Sequence, residues 1–234
     1  MITTVLFDLD GTLLPMDQDK FIGDYLRRMA KKLAPHGYDP ELLTAAIWKG
    51  TGAMVKNDGA QRNDTVFWNV FNAVMGKDCC KDEELFLDYY RNEFQEVQKV
   101  CGFDHRSAEV ISQLKEMGIR VALATNPLFP AIATHSRVRW AGMNCEDFEL
   151  ITTYENSRHS KPNPDYYRDI LETLGVKAEH CLMVGNDVSD DMVAAGLGMK
   201  VFLLTDNLIN KEGKDISLYP HGSFGELMTF IREC

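Results

Sequence analysis

A chain of 234 residues, 45% hydrophobic and 26% charged, has apolar matter enough for one large domain or a core with an insertion. Its 25 Lys and Arg against 35 Asp and Glu leave a net charge of −10, and an acidic chain gains nothing from counterion release by a polyanion, so no nucleic acid partner is expected. No stretch is apolar enough to span a bilayer, no basic leader precedes the first apolar run, and six cysteines without zinc or disulfide-framework spacing read as reduced thiols; the expectation is a cytoplasmic protein with no membrane partner.

The first element is a short buried strand, Val5-Leu6-Phe7, that runs into Asp8-Leu9-Asp10-Gly11-Thr12. Residues two apart on an extended segment share a face, so Asp8 and Asp10 aim at one small volume beyond the strand end. Two bare carboxylates that close repel each other, and a divalent cation such as Mg²⁺ relieves the conflict. Taken alone, the same residues also suit a plain turn.

From about Asp17 to Phe103 the pattern is helical. Phe21, Tyr25, Leu26, Met29 and Leu33 recur at helical spacing, with Pro35 and Gly37 ending the segment. Asp39-Pro40-Glu41 starts a second helix, expected to run to Trp48 and to stop at Gly50, with a loop from Gly50 to Gly59. Asn63 or Asp64 opens a third, ended by Gly76. Asp82 caps a fourth that carries Leu85, Tyr89, Phe94 and Val97 on its apolar side. The aromatics read as the core of this four-helix insertion.

Near Asp104 the pattern returns to alternating helix and strand. A helix from Arg106 to Met117 precedes the strand Ile119–Ala124, which exits into Thr125-Asn126-Pro127. A helix from about Phe129 to Trp140 and a short strand Phe148–Ile151 follow. Lys161-Pro162-Asn163-Pro164 opens a helix to Leu174. The strand Cys181–Val184 exits into Gly185-Asn186-Asp187, and a helix from Ser189 or Asp190 ends near Gly198. Lys200–Leu204 is a strand, and Gly222 to Glu233 a last helix. Such alternation predicts an α/β class with a parallel sheet covered on both faces, and ligands bind outside the carboxyl ends of such strands. Asp8, Asp10, Thr125, Asn126 and Asp187 all fall there, and Lys161 can reach over from its loop. The insertion leaves just after the first strand and is expected to sit above that edge as a lid.

As chemistry, Asp8 is a candidate nucleophile that could form an aspartyl-phosphate. Asp10 is a candidate proton donor and acceptor. The Thr125 hydroxyl and the Lys161 ammonium suit a transferring phosphoryl group, and Asp187 adds a third carboxylate near a cation. In their order and spacing, Asp8-Leu9-Asp10-Gly11-Thr12, Thr125-Asn126, Lys161-Pro162 and Gly185-Asn186-Asp187 with Asp190-Asp191 resemble the four motifs of the haloacid dehalogenase (HAD) superfamily. The resemblance covers the core, residues 1–16 and 104–234, and the insertion, residues 17–103, is similar to that superfamily's C1-type helical cap.

The resemblance implies a Rossmann-like core and a Mg²⁺-dependent phosphatase of a small phosphomonoester. It makes Asp8 nucleophile and metal ligand, and Asp10 general acid/base with its backbone carbonyl on the metal. Thr125, Asn126 and Lys161 hold the phosphoryl group, and Asp187 is the acidic ligand. Asn186 between Gly185 and Asp187 departs from the usual Gly-Asp, so Asn186 with Asp191 is the alternative; Asp190 is expected to be an exposed residue of a first helical turn. Rival readings on the same fold are a phosphomutase, which would need a bisphosphate, and a 2-haloacid dehalogenase, whose members lack an acid at the position of Asp10. A rival of another class is a non-enzymatic phospho-accepting switch like a receiver domain. Lys49, Lys56, Asn57 and Arg62 on the insertion's loop are candidate specificity residues. Arg158 and His159 are candidates for the rim, and His105 for the hinge.

Overall fold

The computed structural model describes residues 1–234. Five parallel strands form one sheet: β1 (Thr4–Phe7), β2 (Arg120–Leu123), β3 (Cys181–Gly185), β4 (Lys200–Leu204) and β5 (His221–Gly222), in the spatial order β2-β1-β3-β4-β5. Their side chains divide with a period of two. Val5 and Phe7, Val121 and Leu123, Leu182 and Val184, and Phe202 and Leu204 face one apolar layer. Leu6, Ala122, Met183, Val201 and Leu203 face the other. Helices α5 (His105–Glu116), α6 (Ala131–Trp140) and α8 (Phe224–Glu233) cover the first face, and α7 (Pro164–Leu174) the second. Strand order reverses about β1, so a crevice opens where β1 and β3 end side by side.

Between β1 and α5 the chain forms α1 (Gln18–Leu33), α2 (Pro40–Val55), α3 (Asn63–Met75) and α4 (Glu83–Arg91), then a 3-10 helix over Glu93–Val100. Asp17 caps α1 through the Lys20 amide, Asp39 caps α2 through Leu42, and Asp104 caps α5 through Arg106. The aromatics of this stretch, Phe21, Tyr25, Phe71, Phe86, Tyr89, Tyr90 and Phe94, belong to the same buried cluster as the first sheet face.

Several expected boundaries move. Helix α2 does not stop at Gly50 but runs on to Val55, because Gly50 faces α3, where a Cβ would lie 2.7 Å from Phe67. The fourth helix ends at Arg91, and the chain turns at Asn92, whose side chain bonds Asp88. The segment Phe148–Ile151 pairs with β2 through Glu149 N to Val121 O at 2.8 Å and through one bridge between Leu123 and Ile151, short of a full strand. Where a helix was expected from Ser189, a turn leads to a 3-10 helix over Met192–Leu197. Strand β5, two residues long, carries no periodic signal. No helix is long and apolar enough to cross a membrane.

Candidate active site

Strand β1 hands its register on: the Asp8 amide still donates to Val184 O at 2.9 Å before the chain leaves the sheet. The turn that follows is closed by Gly11 N to Leu14 O and Leu14 N to Leu9 O, both 2.8 Å. Gly11 sits at φ +88°, where a side chain is strained, and a Cβ there would lie 2.3 Å from Asn186 Nδ2. The first and fourth motifs therefore touch.

One pocket of about 390 Å³ is lined by Asp8, Asp10, Thr125, Asn126, Lys161 and Asp187 together with Asn186, Asp190 and Asp191. Lys161 is buried, and its ammonium donates to Asp8 Oδ1 at 2.8 Å and to Asp191 Oδ1 at 2.6 Å. The Thr12 hydroxyl lies 3.1 Å from Asp8 Oδ2 and 3.1 Å from Asn186 Oδ1. Both Asp8 oxygens are thus held, and an Asn186 oxygen is brought beside one of them. Asp187 Oδ1 instead accepts from the amides of Ser189 and Asp190, at 2.8 and 3.0 Å, in its own turn. Asp191 Oδ2 accepts from the Asp187 amide at 2.9 Å, which fixes that turn against Lys161. The Thr125 carbonyl is pinned by the hydroxyls of Thr152 and Tyr166.

Asp190 is not the solvated residue expected. It is partly buried, accepts from Asn126 Nδ2 at 3.3 Å, and lines the pocket. Among the specificity candidates, Lys49, Lys56 and Arg62 are exposed, Asn57 is engaged with Gln61 O and Asn63, and none lines the pocket. The insertion reaches the pocket through Gln18, Phe21 and Ile22 of α1 instead. His159 packs under Gly59 and bonds Asp169; His105 pairs loosely with Glu109 at the exposed start of α5.

Sequence reasoning missed Arg137. It is fully buried on α6, bonds Asp10 Oδ2, and stacks on Phe129 with its guanidinium carbon 4.4 Å from the ring centroid. A signal was present: Ala133, Arg137 and Ala141 recur at i, i+4, i+8 on the buried face of that helix.

Burial raises the Asp10 carboxyl above its ordinary value, with Arg137 opposing and Asp8 adding to the rise. Burial also raises Asp190, against Lys161, and raises Asp191, again against Lys161. Burial acts to lower the Lys161 ammonium, yet Asp191 and Asp8 carry it well above its ordinary value. Five aspartates and Glu212 thus line the pocket, against the buried Lys161 and Arg137 and the exposed Lys211.

That imbalance suits a divalent cation. No group of three or more His, Cys, Asp or Glu side chains forms a ready-made cage. Mg²⁺, however, is commonly held by one or two carboxylates, waters and a substrate phosphate. Asn126 Oδ1 is buried here without a hydrogen-bond partner, so an oxygen donor is available beside the carboxylates.

The sequence pattern of the haloacid dehalogenase-like hydrolases matches residues 2–198. A phosphoglycolate phosphatase of Colwellia psychrerythraea is 28% identical over 232 residues, 97% of this chain and 96% of its own. The pyrophosphatase PpaX of Bacillus cereus is 26% identical over 199 residues, 85% and 81% of the two chains. The HAD-hydrolase YfnB of Bacillus subtilis, solved bound to magnesium, shares the fold with a TM-score of 0.57 at 19% identity, covering 98% of each chain. With the four motifs gathered on one sheet edge, the chain belongs to the haloacid dehalogenase-like hydrolase family, as an enzyme of its phosphatase type.

Proposed function

We propose that this enzyme hydrolyses a small phosphomonoester with Mg²⁺ through an aspartyl-phosphate on Asp8. The observation that carries the reading is the pocket itself, where Lys161 lies 2.8 Å from Asp8 and the Asp10 carboxyl stands beside them. In the first step an Asp8 carboxylate oxygen attacks phosphorus, the bond from phosphorus to the ester oxygen breaks, and Asp10 gives its proton to that oxygen. In the second, the Asp10 carboxylate takes a proton from water, whose oxygen attacks the same phosphorus and releases phosphate and Asp8. The raised Asp10 carboxyl supports its role as acid, and its unpartnered Oδ1 supports that atom as the one that moves the proton. Thr125, Asn126 and Lys161 orient the phosphoryl oxygens.

Asp8, the Asp10 backbone carbonyl and an oxygen of the fourth motif would hold the cation, whose charge would offset that of the phosphoryl group. Asn186 is favoured over Asp187 for that oxygen, because it already shares the Thr12 hydroxyl with Asp8 while Asp187 caps its own turn. Residues 17–103 act as a cap on the core formed by 1–16 and 104–234. Six free thiols accord with a reducing, cytoplasmic setting.

The test is turnover of p-nitrophenyl phosphate with Mg²⁺. Activity should vanish on chelation, return with Mg²⁺, and fall at least about a thousandfold in Asp8→Asn. Full turnover by Asp8→Asn, or a stable acyl-phosphate that never hydrolyses, would refute the proposal.

A further inference from the structure

A second cavity, of about 540 Å³, adjoins the phosphate pocket. Gln18, Ile22, Leu128, Phe129 and Lys211 line both, so the two share that wall. The second is apolar: 15 of its 22 lining residues are hydrophobic, among them Tyr25, Trp48, Phe67, Trp68, Phe86 and Tyr90. Its walls come from α1 to α4 on one side and from Leu128-Phe129-Pro130 and Tyr154 of the core on the other. An engineered cavity of roughly 150 Å³ takes up benzene, so this one holds a larger apolar group.

Phe129 stands where the two cavities meet. Arg137, the partner of Asp10, stacks on it at 4.4 Å, and Tyr25 meets it edge-on at 5.4 Å between centroids. The ring that separates phosphate from leaving group is therefore fixed by the residue that also holds the acid. The ionisable groups of the apolar wall are chiefly Asp19 and Glu83, with Lys211 at the shared wall. This suits a neutral leaving group and disfavours a second anionic one.

We infer that the substrate is a phosphomonoester of an alcohol with a bulky, uncharged apolar or aromatic body, seated in the cavity between α1–α4 and Phe129. The inference rests on the phosphatase reading above, and its test separates the two. Ethyl phosphate and 4-phenylbutyl phosphate have leaving groups of the same kind, both primary alcohols, and differ in the apolar body. With Mg²⁺, kcat/KM for 4-phenylbutyl phosphate should exceed that for ethyl phosphate at least about tenfold, from the apolar area buried. Phosphoglycolate, small and anionic, should also rank below it. A preference under tenfold, or phosphoglycolate as the better substrate, overturns the inference.

Gly23 of α1 lines only the apolar cavity, and a Cβ there meets nothing within 4 Å. Gly23→Leu should cut the preference for the phenylbutyl ester while leaving the melting temperature no lower, since Gly is the poorer helix former; an unchanged preference in the folded variant counts against the cavity as the subsite. A second measurement needs no variant and no turnover. Trp48 and Trp68 line the cavity, so 4-phenylbutan-1-ol should shift tryptophan emission saturably, in Asp8→Asn as in the unaltered chain. Saturable binding without hydrolysis of any ester would sink the phosphatase reading and keep the cavity; hydrolysis without saturable binding would do the reverse.

Discussion

Asp10 shows how one buried partner sets both the stability and the chemistry of a residue. Its Oδ2 is bonded to Arg137, whose side chain is almost wholly enclosed, while the Asp10 side chain keeps about 20% of its surface. Replacing Arg137 by Leu removes the cation and leaves the carboxylate unpaired, which should cost about 3 kcal/mol in urea unfolding. Arg137 also opposes the burial that raises Asp10, so its loss lets the Asp10 carboxyl rise further. If Asp10 is the acid, the alkaline limb of kcat/KM then moves to higher pH in Arg137→Leu; a limb that stays in place would separate Asp10 from proton donation. The carboxylates and Lys161 were legible because chemistry-bearing residues followed strands at recognisable spacings. Arg137 was not, since an arginine on a helix ordinarily belongs to the solvated face, and only the four-residue recurrence of Ala133 and Ala141 betrays its direction. Asn186 and Asp187 were legible as a pair but not as individuals: which one turns toward Thr12 depends on a turn that the amides of Ser189 and Asp190 decide.

At the scale of elements, glycine carried two meanings that a sequence does not separate. Gly37 and Gly76, at φ +84° and +67°, end their segments as composition suggests. Gly50 lies inside α2, and its lack of a side chain serves the approach of α3: a Cβ there would stand 2.7 Å from Phe67 Cδ2 and 2.8 Å from Cε2. Phe67 cannot yield freely, because it stacks on Phe71 at 5.4 Å and packs edge-on against Trp68 at 5.5 Å. Gly50→Val should therefore destabilise by about 1–3 kcal/mol through overpacking, despite the poor helix propensity of glycine. Urea unfolding of the variant tests this, and equal or greater stability would mean that Phe67 yields to a side chain at Gly50. The sheet was easier to read than the insertion. Its four longer strands are apolar runs buried on both faces, whereas α4 and the Glu93–Val100 helix share one apolar periodicity and part only at Asn92, for a local side-chain bond to Asp88. The turn from Asp187 to Asp191 posed the same problem, as good helix-start residues were diverted to hold Lys161 and one another.

For the whole molecule the question is how a chain of net charge −10 tolerates five aspartates in one pocket. Lys161 and Arg137 offset part of that charge, and the remainder appears as carboxyls raised by burial: Asp10, Asp190 and Asp191. A carboxyl raised above its unfolded value of 3.8 binds more protons in the native state than in the unfolded one throughout the interval between the two values. Stability then falls as pH rises through that interval. The exposed pairs work the other way, with Asp104 beside Arg106 and Glu149 beside Arg120 held below their ordinary values, and their contribution is complete above the unfolded carboxylate range. In EDTA, the melting temperature should consequently decline from pH 5.5 to 7.5, as Asp191, pushed up to about 7 by burial, ionises. A bound cation stabilises by RT ln(1 + [L]/Kd), about 2.7 kcal/mol at a hundred times Kd, and binds best where the carboxylates are ionised. Mg²⁺ should therefore raise the melting temperature more at pH 7.5 than at pH 5.5 and flatten or reverse the decline. Thermal unfolding at the two pH values, with and without Mg²⁺, measures this, and a Mg²⁺ shift that is equal at both would show that the cation does not bind beside these raised carboxyls.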